Sequence, residues 1–106
     1  MKPYIGVVNR SRFDGTGVIY VGRPSALGNP FVIGRDGTRE EVIAKYKEWL
    51  IAQPPESPAK RNLQHLRDLV KDRGALILSC WCAPLPCHAD VIAEMLREDA
   101  ETKVLA

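Results

Sequence analysis

The sequence predicts a single small α/β domain in the order β-β-α-α-β-α, with an N-terminal hairpin, a short, partly parallel sheet and three main helices. Three observations carry this expectation. Two segments rich in Val, Ile and Tyr open the chain, two amphipathic stretches with clear start and stop residues follow, and a short apolar run bounded by glycine precedes a last amphipathic stretch. The 106 residues suffice for one hydrophobic core and fall short of two, because single domains cluster at roughly 100–150 residues. One domain spanning residues 1–106 is expected.

Tyr4 to Val8 and Gly17 to Val21 have strand composition. Between them Asp14-Gly15-Thr16-Gly17 supplies residues that tolerate positive φ, which points to a hairpin. The segment from Gly22 to Phe31 holds two prolines and two glycines and cannot run as a regular element. Thr38-Arg39-Glu40-Glu41 fits a capping box, and Val42, Ile43, Tyr46, Trp49 and Leu50 follow at helical spacing as one apolar face. Gln53 to Pro58 breaks that helix, with Ser57 as N-cap and Pro58 at the first position of the next. Leu63, Leu66, Leu69 and Val70 are its buried stripe, and Gly74 stands at its C-terminal stop. Ala75 to Ser79 reads as a buried central strand. Val91, Ile92, Met95 and Leu96 mark a final helix, with Asp90 in its first turn as the helix dipole favours.

Apolar residues make up 45% and charged residues 26% of the chain, an ordinary globular balance. The formal charge is +2, with Lys and Arg interleaved among Asp and Glu, so no phosphate-tracking stripe for long nucleic acid is evident. Met1 to Gly6 lacks the apolar stretch of a secretory signal, and no window approaches the roughly 18 apolar residues of a membrane span, so a cytoplasmic location is expected. All three cysteines fall between Cys80 and Cys87, too close together to staple distant parts of a fold.

Joining the second strand to the third takes a long crossover, which the two helices supply, and such connections make the strands parallel. Both strands then end at the same sheet edge, where ligands bind in open α/β sheets. The loop Arg23 to Phe31 and the segment Cys80 to His88 are therefore expected to meet at one site.

Cys80, Cys82, Cys87 and His88 number three sulfurs and an imidazole, the tally of a Cys₃His zinc set. Their spacing differs from the separated pairs usual for zinc, and closing all four around one ion would strain so short a loop. A histidine-ligated iron–sulfur cluster would use the same residue types. A second reading turns on the helix start near Cys87 and His88, where unpaired amides and the positive dipole end attract anions. That field lowers a thiol's pKa, making Cys87 the leading candidate for a reactive group with His88 to assist and Cys82 as a further thiol. In a third reading the cysteines are small buried hydrophobes.

Arg23 suits phosphate or carboxylate through paired hydrogen bonds, and Asn29 offers donor and acceptor to a polar edge such as a nucleobase. Gly28 permits close backbone approach, and Asn29 before Pro30 is pushed to an extended conformation. Against this, proline and glycine alone could turn the chain, with Arg23 solvated and Phe31 filling the core. Tyr46 and Trp49 read as core residues and His65 as a helix-surface residue.

Taken together, Tyr20-Val21-Gly22-Arg23-Pro24, Leu27-Gly28-Asn29-Pro30-Phe31 and Cys80-Trp81-Cys82-Ala83-Pro84-Leu85-Pro86-Cys87-His88 resemble the family called domain of unknown function 4326, short proteins of bacteria and bacteriophages. The resemblance extends over almost the whole chain, including Thr38 to Leu50. It implies that these segments form one functional unit and brings no activity with it. A looser similarity, an apolar strand followed by Cys-His opening a helix, links the chain to domain of unknown function 488.

The leading expectation is a domain that holds a small anionic, nucleotide- or nucleobase-derived molecule. Arg23, Asn29, Pro30, His88 and Asp90 would bind it, and Cys87, His88 and Cys82 would supply any thiol chemistry. The alternatives are a non-catalytic module holding zinc or iron on Cys80, Cys82, Cys87 and His88, and a phage protein that sequesters a host nucleotide signal without turnover.

Overall fold

The computed structural model describes residues 3–10, 18–82 and 85–105, with side chains as far as residue 99. Its elements follow the expected order: β1 (Tyr4–Asn9), β2 (Val18–Tyr20), α1 (Arg39–Ala52), α2 (Pro58–Arg73), β3 (Ala75–Cys80) and α3 (His88–Leu105). The helix boundaries are set by local chemistry. Thr38 caps α1, its hydroxyl accepting from the Glu41 amide at 3.3 Å while the Glu41 carboxylate accepts from the Thr38 amide at 3.0 Å, so two otherwise unpaired donors are satisfied reciprocally. Ser57 caps α2 by accepting from the Lys60 amide at 3.2 Å, with Pro58 as the first helical residue. Gly74 ends α2 in the left-handed region, at φ 71°, and its amide donates to Val70 at 2.8 Å.

The sheet has the order β1-β3-β2, and both outer strands run parallel to β3. Tyr4 pairs with Ala75 and Asn9 with Cys80 on one side, and Val18 with Ile77 and Tyr20 with Ser79 on the other. This corrects the expected hairpin. A hairpin would make β1 and β2 antiparallel neighbours, but β3 lies between them and all three strands point the same way. The turn read at Asp14 to Gly17 lies outside the described residues.

The reason lies in burial. β3 places Leu76, Leu78 and Cys80 in the core and is flanked on both edges, as befits the most buried strand of a parallel sheet. From α1, Val42, Tyr46 and Leu50 are buried, with Ile43 and Trp49 half-buried against the core. α2 contributes Leu63, Leu66 and Val70, and α3 contributes Val91, Ile92 and Leu96. α3 packs on β1, β3, α1 and α2, and α2 also packs on β3. Two polar ties fasten α3 from its middle: Arg97 donates to the Ile5 carbonyl, and Asp99 pairs with Arg67 of α2. No described helix is long and apolar enough to cross a membrane.

A Cβ at Gly74 would meet nothing within 4 Å, so only the left-handed backbone resists substitution there. Gly74→Ala is expected to lower the unfolding free energy by about 1–2 kcal/mol, and Gly74→Asn by less, since asparagine tolerates this conformation better. Urea denaturation of the two variants checks the order.

Candidate functional site

Because all three strands are parallel, their carboxyl ends share one edge, and the chain leaves that edge into the segments flagged by the sequence. Hydrogen bonding continues past the strands: Val21 donates to Ser79 at 3.0 Å, and Arg10 donates to Cys80 at 2.9 Å.

The first loop is pinned from inside. The hydroxyl of Tyr46, fully buried on α1, donates to the Leu27 carbonyl at 2.7 Å. Asn29 is buried too, accepting from the Phe31 amide at 2.9 Å and donating to the Val42 carbonyl at 3.3 Å. Its amide group is thus largely spent on shaping the loop. A Cβ at Gly28 would stand 2.9 Å from Arg23 Cα, so the close approach expected at this glycine is made to the loop's own first turn.

The second segment is tied to the first by His88. Its Nε2 lies 2.7 Å from the Val21 carbonyl oxygen, and since a carbonyl only accepts, Nε2 carries the proton. The ring packs edge-on against Tyr46, with centroids 5.1 Å apart and an interplanar angle of 74°. Burial, aided by the nearby Arg23 charge, holds the His88 pKa below its ordinary value, outweighing the opposing effects of Val21 and Asp90. His88 is therefore a neutral, buried strut between the two segments.

Cys87 sits 2.8 Å from Cys80, sulfur to sulfur, and both are buried. The hydrogen bond with Cys80 and then burial push the Cys87 thiol strongly upward, against the downward pull of the Ala89 amide. This reverses the expected activation of Cys87, because the partner sulfur and desolvation outweigh the helix terminus. The helix start is also largely self-satisfied: the Cys87 amide donates to the Asp90 carboxylate at 2.9 Å, and the Ala89 amide bonds the Cys87 sulfur. Of the three cysteines, Cys82 alone is only half-buried.

Between the segments lies an open cleft of about 180 Å³. Arg23, Asn29, Cys80, Cys82, Cys87 and His88 all line it, so the expected meeting of the two stretches occurs. Pro30 and Asp90 are not among its lining residues: the Pro30 carbonyl accepts from Arg35 at 3.2 Å, and Asp90 caps α3. Phe31 is half-buried in the cleft wall, Tyr46 and Trp49 pack in or against the core, and His65 is exposed on α2.

Sequence reasoning missed Arg39, Tyr20 and Trp81 as cleft residues. Arg39, the first residue of α1, reaches across to donate to the Pro86 carbonyl at 3.1 Å. The available signals were its place after the Thr38 cap and, for Tyr20 and Trp81, an aromatic ring at or just past a strand's end. The described lining includes two guanidinium groups, from Arg23 and Arg39, and no carboxylate. Among the described residues, no group of three or more His, Cys, Asp or Glu side chains is arranged to hold a metal ion.

His88 makes stability depend on pH. The folded protein disfavours the imidazolium while the unfolded chain takes up a proton near the ordinary value of 6.5, so unfolding free energy falls as pH drops below 6.5. The slope from this one group is at most about 1.4 kcal/mol per pH unit. His88→Gln, whose amide can still donate to Val21 without titrating, is expected to flatten that fall between pH about 6.5 and 5. Urea midpoints across the range check it.

Comparison with curated proteins and with solved structures finds no match. The family model described as domain of unknown function (DUF4326) matches residues 8–98, which include both cleft-forming segments. The chain belongs to this family.

Proposed function

We propose that this domain binds a small anionic, nucleotide- or nucleobase-derived molecule in the cleft between residues 22–31 and 80–88. The observation that carries the reading is a cleft lined by Arg23, Arg39 and a neutral, buried His88, with no carboxylate among its described lining residues. Such a lining offers charge-assisted hydrogen bonds to phosphate or carboxylate, and the Asp90 carboxylate that acts on His88 is engaged by the Cys87 amide. Its place at the carboxyl edge of a parallel sheet agrees with where such sheets bind ligands. At about 180 Å³ the cleft is smaller than the roughly 300–1,000 Å³ of sites for drug-sized ligands, so it would enclose only part of a mononucleotide.

In this reading Arg23 and Arg39 hold the anionic group, while Asn29, Tyr46 and His88 position the loop that presents Arg23. Any thiol chemistry falls to Cys82, the cysteine with access to solvent; binding without turnover is the other course, and recovery of unchanged AMP after incubation separates the two.

Isothermal titration calorimetry with AMP, ribose 5-phosphate and inorganic phosphate tests the proposal. Arg23→Ala and Arg39→Ala are each expected to weaken AMP binding roughly tenfold or more, the scale of a lost charge-assisted bond. Unchanged affinity in both variants overturns it.

A second reading, metal binding, would take the Cys80 and Cys87 sulfurs, both in the cleft lining, as two donors of a zinc or iron site. Less than about a tenth of an equivalent of metal in untagged protein excludes a constitutive site of that kind.

A further inference from the structure

Trp81 stands out at the mouth of the cleft because it is both exposed and held. The residue is 60% exposed, yet it is tied at both backbone and ring: Asn9 donates to its backbone carbonyl at 3.0 Å, and its indole Nε1 donates to the Tyr20 hydroxyl at 3.1 Å. The Tyr20 hydroxyl in turn donates to the Arg23 carbonyl at 2.6 Å. The indole, the phenol and the backbone of the anion-binding arginine therefore form one hydrogen-bonded chain. The Arg10 guanidinium lies 4.1 Å from the Tyr20 ring centroid and 5.9 Å from that of Trp81, bracing the pair from the end of β1.

Exposing a large aromatic ring forgoes the stabilisation its burial would bring. Immobilising it as well adds the loss of rotamer entropy. With its single donor engaged and Arg10 over one face, what the ring has left to offer a ligand is its other π face. A rigid, exposed π face next to two arginines matches a molecule that is planar at one end and anionic at the other.

We propose that Trp81 is the base-stacking platform of the cleft, and that the ligand is a purine nucleotide lying with its base on the indole and its phosphate toward Arg23 and Arg39. This rests on the anion-binding reading above and adds a polarity and a base class to it. A purine overlaps an indole over more area than a pyrimidine does, so the platform discriminates by ring size while tolerating either purine.

The test compares AMP, GMP, UMP and ribose 5-phosphate on the parent protein, Trp81→Ala and Trp81→Phe by calorimetry, with tryptophan fluorescence followed alongside. Trp81→Ala is expected to weaken AMP and GMP binding roughly five- to a hundredfold, to affect UMP less and to leave ribose 5-phosphate unchanged, with Trp81→Phe recovering part of the loss. Purine nucleotides are expected to quench the fluorescence of the parent protein and ribose 5-phosphate to leave it unaltered. If Trp81→Ala binds all four ligands as the parent does, the platform is overturned and the anion site stands. If the parent binds none of them, both proposals fall.

Discussion

The hydrogen bond from His88 to the Val21 carbonyl is the interaction that makes one cleft out of two distant stretches of chain. It joins the first residue of α3 to the residue just after β2, inside the core, where an unmade bond would leave a buried polar group unsatisfied. Tyr46 reinforces it from α1, packing its ring against the imidazole and fixing Leu27 with its hydroxyl. Through these two buried side chains, α1, α3 and the loop after β2 are held in one arrangement. The cleft inherits its shape from that arrangement.

A division of labour follows between the residues that shape the cleft and those that face solvent within it. Asn29, His88 and Cys87 look reactive in the sequence, yet they are buried and engaged with the protein itself. Among the polar, thiol and aromatic groups of the lining, Arg23 and Trp81 are exposed and Tyr20, Arg39 and Cys82 are half-buried. Buried polar groups do most for a fold when each is satisfied internally, and a ligand would then compete with the structure for them. Recognition is better served by groups whose structural bonds are few.

What the sequence disclosed, and what it hid, divides along chain separation. The boundaries of α1 and α2 were legible because Thr38, Ser57, Pro58 and Gly74 act on neighbours within a few residues. The convergence of the two motif segments was legible too, because a long helical crossover implies parallel strands. The hairpin was misread because turn-forming residues near Gly15 are a local cue, whereas the partner of both early strands is β3, far along the chain. Cys87 was misread for the same reason: its place at a helix start is visible locally, but the Cys80 sulfur that reverses the effect arrives only through folding. Arg39 reaches the cleft through its bond to the Pro86 carbonyl, 47 residues along the chain, for which the sequence has no periodic cue.

The central position of β3 also bears on how the molecule comes into being. During synthesis β1, β2, α1 and α2 all emerge before the strand that the first two require, so a nascent chain carries two apolar strands with no ladder to join. Long-range parallel pairing is slow to close and leaves such edges open to association meanwhile. The sheet, and with it the cleft, thus waits on β3, the one strand that both β1 and β2 pair with.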